Sequence, residues 1–269
     1  MRLTTASLGT SLALAFGLLA STSALALDTT RLAPKDVSFS FEGPFGTYDR
    51  GALQRGYQVY KEVCSACHSA QHLAFHNLDE PGGPEFTEAQ ARALAAAAKL
   101  PADPNDKGET VDDKGAPLMR SATLADHFPS PFPNEQAARA NNGGALPPDL
   151  SMVVKAREGG PQYVYSILTG FTAHPPAGFK VQDGKYFNPY FEGWNINMPP
   201  PLKDGTVTYS DGTKATLDQE AHDVVTFLSW ASEPKMEERK RFGFGVMVFL
   251  ILLAGVLYAS YRKIWKDAH

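Results

Sequence analysis

Cysteine is nearly absent from this chain: 269 residues carry only Cys64 and Cys67. That scarcity excludes a framework of several disulfides. It also excludes a zinc site built on further thiolates at finger-like spacing. An excess of basic charge is missing too, since 25 lysines and arginines face 29 acids. Nucleic acid is therefore a poor partner. No internal repeat occurs, which excludes solenoid and propeller arrays. Long apolar runs are confined to the two ends.

The first end reads "MRLTTASLGTSLALAFGLLASTSALALDTT". Arg2 supplies a positive start, and Leu12 to Ala20 is apolar but too short to span a bilayer. Ala24-Leu25-Ala26 fits an A-x-A cleavage site. Residues 1–26 are expected to be a secretory signal peptide, with the exported chain beginning near Leu27. The second end holds a charge-free segment from Phe242 to Tyr261. As a helix its 20 residues cover about 30 Å, the thickness of the hydrocarbon core. Three basic residues precede it (Arg239, Lys240, Arg241) and three follow it (Arg262, Lys263, Lys266), so charge alone gives no orientation. The export signal decides for an outer head. The expected domains are a head over 27–238, a transmembrane anchor over 239–261 and a cytoplasmic tail over 262–269. Tyr258, Tyr261 and Trp265 suit an interfacial aromatic belt.

The head is more acidic than the whole. Residues 27–238 hold 18 basic and 28 acidic residues, a net −10. Acids gather at Asp79, Glu80, Glu85 and Glu88, then at Asp103, Asp106, Glu109, Asp112 and Asp113. Any one of them is a solvated surface carboxylate. Their sum favours a basic partner steered by a long-range field.

Cys64 and Cys67 stand in "VCSACHS", with His68 directly after. A disulfide across C-x-x-C would close a tiny loop and stabilise little. A thioredoxin-like dithiol needs a βαβ setting that is not evident. The remaining reading is C-x-x-C-H, the attachment signature of a c-type haem, with two thioethers and His68 as proximal ligand. Ahead of it Leu53, Tyr57, Tyr60 and Cys64 form a helical stripe. That stripe is expected to pack the core.

A haem iron used only for electron transfer takes a second axial ligand, and methionine serves high potentials. Met119 is expected in a loop, Met152 in a core, Met236 beside the membrane and Met247 in the anchor. Met198 stands in "NINMPPPL", where three prolines hold the backbone extended. It is the preferred sulfur ligand. His72, His76, His127, His174, His222 and His269 leave bis-histidine ligation open.

The middle of the chain is rich in Pro, Gly, Asn and Asp, which reads as long loops. Short helices are expected between them. Thr87 and Gln90 make a capping box, Asn134 caps "EQAARA", and Asp149 or Ser151 caps "MVVKARE". "QYVYSILTG" follows Gly159-Gly160-Pro161 and stops at Gly170. Thr216 opens the last helix of the head. "GTVTYSDGTKAT" reads as a hairpin turning at Asp211-Gly212.

These residues add up to a resemblance. "VCSACHS", "HFPSPFPNEQAARANNGGALPPDLS", "AREGGPQYVYSILTGF", "NMPPPL" and the final apolar segment resemble the cytochrome c1 family. The likeness covers nearly all of residues 40–265. It implies a mostly α, class I cytochrome c-like haem domain with long loop insertions and one C-terminal transmembrane helix. It implies one haem c on Cys64 and Cys67, with His68 and Met198 as axial ligands to the metal. Arg157 and Tyr163 match positions that hold haem propionates. Pro147 and Pro148 match residues that pack on the haem, and Asn142 matches one near it. Some bacterial members carry a further cysteine pair that ties the distal loop. This chain has none left, so Trp194, Phe191 and the proline run are expected to hold the Met198 loop.

The implied role is an electron relay in the inner membrane with its haem domain in the periplasm. It would take electrons from a Rieske iron–sulfur subunit beside cytochrome b and give them to a basic cytochrome c. No bond chemistry belongs to this chain itself. A membrane-anchored free carrier or oxidase subunit is the alternative. A peroxidase or gas sensor would instead need an open distal site.

Overall fold

The computed structural model describes residues 30–171 and 174–266. The expected signal peptide and His269 lie outside them. Seven helices carry the described fold, with two small antiparallel sheets between them.

Helix α1 (Arg50–Glu62) starts at Asp49, whose carboxylate accepts from the Ala52 amide. Its Leu53, Tyr57 and Tyr60 are buried, as the stripe predicts. They face α6 (Leu217–Ser232), which opens at Thr216 with its hydroxyl on the Gln219 amide. This pair is the centre of the head. Val224, Val225 and Phe227 on α6 are fully buried against it. Gly56 permits the close approach, because a Cβ there would collide with the Asp223 carbonyl. Beside that crossing Arg55 grips the fully buried Asp223 with two bonds of 2.8 and 3.0 Å. The ion pair compensates a charge that could not stay buried alone. Tyr57, Tyr60, Phe128 and Phe227 pack ring on ring in the core, with centroids 5.7–5.9 Å apart.

Shorter elements wrap this pair. Helix α2 (Glu88–Ala97) carries the Thr87–Gln90 capping box, and α3 (Glu135–Asn141) is capped by Asn134. Strands β1 (Lys99–Pro101) and β2 (Met119–Ser121) pair, which places Met119 on a strand rather than in a loop. Helix α4 (Val153–Ala156) is a single turn. Helix α5 (Gly160–Thr169) follows Gly159, whose φ of 88° is the left-handed conformation glycine adopts freely. Strands β3 (Tyr186–Phe187) and β4 (Asn195–Ile196) pair just before Met198.

Two expectations fail because side-chain acceptors are engaged with other partners. The 205–216 segment keeps its turn, with the Gly212 amide on the Tyr209 carbonyl, but forms no paired strands. Its Val207 amide goes to Glu220 and its neighbour Leu217 to Asp204. Likewise neither Asp149 nor Ser151 caps α4. Both are turned toward residues 69–72. Met152 is not core either, and is 41% exposed at the start of α4.

The last helix, α7 (Met236–Ile264), has 29 residues and runs about 43 Å. It is long and apolar enough to cross a membrane, and the head buries none of its apolar window. Its first turns are fixed to the head. Met236 is buried, and Glu237 takes two bonds from Arg50 at 2.9 and 2.7 Å and one from the Tyr48 amide. Lys240 Nζ donates to the Phe41 and Gly46 carbonyls.

Candidate cofactor site

Helix α1 ends at Val63, and the chain tightens into a 3-10 turn over Cys64–Ala66. The Cys64 carbonyl accepts from both the Cys67 and His68 amides, at 3.1 and 2.9 Å. One turn thus gathers both thiols and the imidazole. Neither cysteine is in a disulfide. Cys64 packs at the core margin, where burial pushes its thiol up to about 12, while Cys67 is exposed. Both sulfurs are therefore free for bonding to another group.

His68 is oriented from 80 residues away. Its Nδ1 lies 2.8 Å from the Pro148 carbonyl oxygen. A carbonyl only accepts, so Nδ1 carries the proton and Nε2 keeps its lone pair. Burial lowers the His68 pKa, against the smaller opposing pulls of the Pro148 carbonyl and the Asp149 carboxylate. A neutral imidazole with one nitrogen fixed and the other basic is a metal ligand's state.

The loop that brings Pro148 is stapled to the turn. Asp149 accepts from the Ser69 hydroxyl at 2.7 Å and from the Gln71 amide at 2.9 Å. It also accepts from the Ser151 amide. The Ser151 hydroxyl accepts from the His72 amide, and the Leu150 amide returns to the Ser69 carbonyl. Burial alone would raise the Asp149 pKa, but these donors outweigh it and hold its carboxyl below the ordinary value. Asp149 and Ser151 look like cap residues in the sequence. The only sign of their role is that they follow the prolines of the motif richest in family likeness.

Met198 stands on a separate support, directly after β4. Trp194 packs edge-on against Phe179 and Phe187, at 5.4 and 5.8 Å between centroids. Its indole donates to the Thr30 carbonyl at 3.2 Å. Trp194 holds a φ of 58°, rare for an aromatic residue. The residue the sequence does not announce is Asn188, which is fully buried. Its Nδ2 donates 2.8 Å to the Ile167 carbonyl on α5 and its Oδ1 accepts from the Tyr190 amide. Its backbone amide donates to the Trp194 carbonyl. Asn188 thereby ties the α5 end to the turn that leads to Met198.

The other expected residues lie around the α3–α5 region. Arg157 ends α4, exposed and with no ion pair among the described residues. Tyr163 is half-buried one turn into α5, with the Arg31 guanidinium 5.0 Å above its ring. Arg31 is itself paired to Glu158 at 2.9 Å, whereas Arg157 and Arg139 on α3 have no ion pair among the described residues, and Arg139 donates to the Gly144 carbonyl. Asn142 ends α3 with its amide on the Ala138 carbonyl. Pro147 is half-buried beside Pro148.

Rival ligands have other engagements. His76 has Nδ1 at 3.3 Å from the Leu124 carbonyl and Nε2 at 3.5 Å from Glu80. His222 stacks on Phe39 at 4.7 Å. His72, His127 and His174 are exposed. Met119 is exposed as well, and Met236 is buried where α7 joins the head.

Two thiols, a basic imidazole nitrogen and an unpaired guanidinium fit a covalently held haem with anionic side chains. Among the described residues no cluster of three or more His, Cys, Asp or Glu is placed to hold a bare metal ion.

Comparison with known proteins agrees with this chemistry. A sequence model of the "Cytochrome C1 family" matches residues 39–268. The chain is 46% identical over 244 residues to "Cytochrome c1" of Rhodospirillum rubrum, covering 85% of this chain and 86% of that one. It is 41% identical over 274 residues to "Cytochrome c1" of Blastochloris viridis, covering 95% and 94%. It is 50% identical over 254 residues to "Cytochrome b/c1" of Bradyrhizobium diazoefficiens, but spans only 36% of that protein's length.

Proposed function

Because the chain belongs to the cytochrome c1 family, we propose that it is the membrane-anchored, electron-relaying haem subunit of a cytochrome bc1 complex. The observation that carries this reading is the His68 imidazole, held by Pro148 beside two thiols on one turn.

Cys64 and Cys67 would hold haem c by thioethers, and His68 Nε2 and Met198 sulfur would be the axial ligands. The haem supplies a one-electron iron couple. The Pro148 carbonyl holds the imidazole proton on Nδ1, which leaves the lone pair on Nε2, and fixes the ring plane. Arg157 and the Tyr163 hydroxyl would hold the propionates, which need charged or polar donors away from water. Pro147, Pro148 and Asn142 would line the group. With His68 and Met198 both holding the iron no position on it would stay open, and the chain's own task would be relay without bond chemistry.

Cytochrome b is the proposed membrane partner. A Rieske iron–sulfur subunit is the donor and a basic cytochrome c the acceptor, attracted by the net −10 of residues 27–238. In the proposed layout residues 1–26 direct export and 27–238 form the periplasmic head. Residues 239–261 cross the inner membrane once, and 262–269 end in the cytoplasm.

Purification from membranes in mild detergent tests the assignment. A c-type haem spectrum should travel with cytochrome b and an iron–sulfur subunit. A fully active chain that purifies alone would mean a free carrier instead.

A further inference from the structure

We infer that Phe45 is a second membrane contact, a lipid-facing wedge beside the root of α7. This rests on the reading of α7 as a transmembrane anchor.

Phe45 is 77% exposed, more than any other large apolar residue described. It is not on a loose loop. The Glu42 amide bonds the Phe39 carbonyl, and the Thr47 amide bonds the Ser40 carbonyl. Gly46 lies so close under the turn that a Cβ there would collide with the Glu42 carbonyl. The flanking Phe41 and Tyr48 are buried. The turn is also clamped to the anchor, through Lys240 on the Phe41 and Gly46 carbonyls and Glu237 on the Tyr48 amide. An exposed aromatic side chain is thus presented from a braced frame at a fixed place on α7.

That place is the start of the charge-free segment. The Phe45 ring meets Phe244 edge-on, with centroids 6.0 Å apart. Phe244 is two residues inside the segment, about 3 Å along the helix. Phe244 is itself 59% exposed and Phe242 is 74% exposed, so the head covers none of the three. Arg239 and Arg241 stand just outside with Lys240. Apolar rings at the core boundary beside three basic residues, of which Arg239 is paired to Glu233 and Lys240 donates to two carbonyls, match the chemistry of a lipid interface, with acyl chains inside and polar headgroups outside. Leaving the ring in water would forfeit the burial of an aromatic side chain. With the anchor it would fix the tilt of the head through two contacts instead of one.

Site-specific photocrosslinking in the assembled complex in native membranes tests this. A benzophenone amino acid would replace Phe45, Leu252 or Asp106 in turn, with an unchanged haem spectrum as the folding control. Phospholipid adducts are expected at 45 and 252 and none at 106. Adducts at 252 but not at 45, or crosslinks from 45 to another subunit, overturn the wedge while leaving the anchor intact. Absence of lipid adducts at 252 overturns the anchor and the wedge with it.

Discussion

The Nδ1 of His68 and the carbonyl oxygen of Pro148 are 2.8 Å apart, although 80 residues separate them in the chain. The contact is more than local geometry. Asp149, next to Pro148, binds Ser69 and Gln71, one and three residues after His68, so the same two segments are joined again beside the imidazole. The tautomer of His68 is therefore a property of the tertiary fold.

Asp149→Ala should cost about 2–4 kcal/mol, because the Ser69, Gln71 and Ser151 donors lose one shared acceptor. Asp149→Asn should recover part of it. Chemical denaturation of the haem-loaded protein measures both, and an unchanged midpoint for the alanine variant would show the staple is idle.

Met198→Leu should leave the iron with one protein ligand. The midpoint potential should fall by on the order of 0.1–0.3 V, within the ~0.8 V that axial ligands span. The reduced form should then bind carbon monoxide. Redox titration and carbon monoxide spectra decide it. If neither changes, the sulfur ligand lies elsewhere.

Asn188→Ala should loosen the Met198 support without touching the iron. It unpairs the buried Ile167 carbonyl and Tyr190 amide, at roughly 2–4 kcal/mol. A fraction of the reduced protein should bind carbon monoxide, less than in Met198→Leu. Asn188→Asp keeps the acceptor and loses the donor, so it should fall between. Lower stability with no carbon monoxide binding would confine Asn188 to packing.

The joint of head and anchor should titrate. Burial alone would raise the Glu237 pKa, but Arg50 and the Tyr48 amide outweigh it and hold the carboxyl below 4.5. A depressed carboxyl contributes stability that is present above the unfolded value and lost as pH falls through the folded one. Glu237→Gln should cost roughly 1.5–3 kcal/mol at neutral pH. The gap between native and variant melting temperatures should close below about pH 4.5. A constant gap down to pH 3 would show that the charge does not matter.

Gly56→Ala should separate α1 from α6, since the new methyl meets backbone that cannot turn aside. A loss of about 3 kcal/mol is expected, the upper end of overpacking costs. Thermal unfolding reads it, and a neutral result would mean that the crossing can widen freely.

Elements whose cause is local are legible in residue order. The stripe Leu53, Tyr57, Tyr60 makes α1 amphipathic wherever the chain goes. Thr87, Asn134 and Thr216 cap their helices because the acceptor and the amide are three residues apart. The 20 charge-free residues form an apolar helix from composition alone, and C-x-x-C-H carries its chemistry in its spacing. Polar side chains with several possible partners are placed by the folded chain instead. Asp149 and Ser151 have cap chemistry, yet distant amides claim them. Glu220 takes the Val207 amide, a donor that a hairpin at 205–216 would have used. Asn188 reads as a loop residue and is a fully buried tie. Met236 looks like a membrane-edge residue and is buried, because Glu237 and Lys240 clamp the start of α7 to the head. Apolar periodicity and helix caps act within a few residues, so sequence order contains them. A carboxylate or a buried amide chooses among donors brought together by folding, and sequence order does not contain that choice.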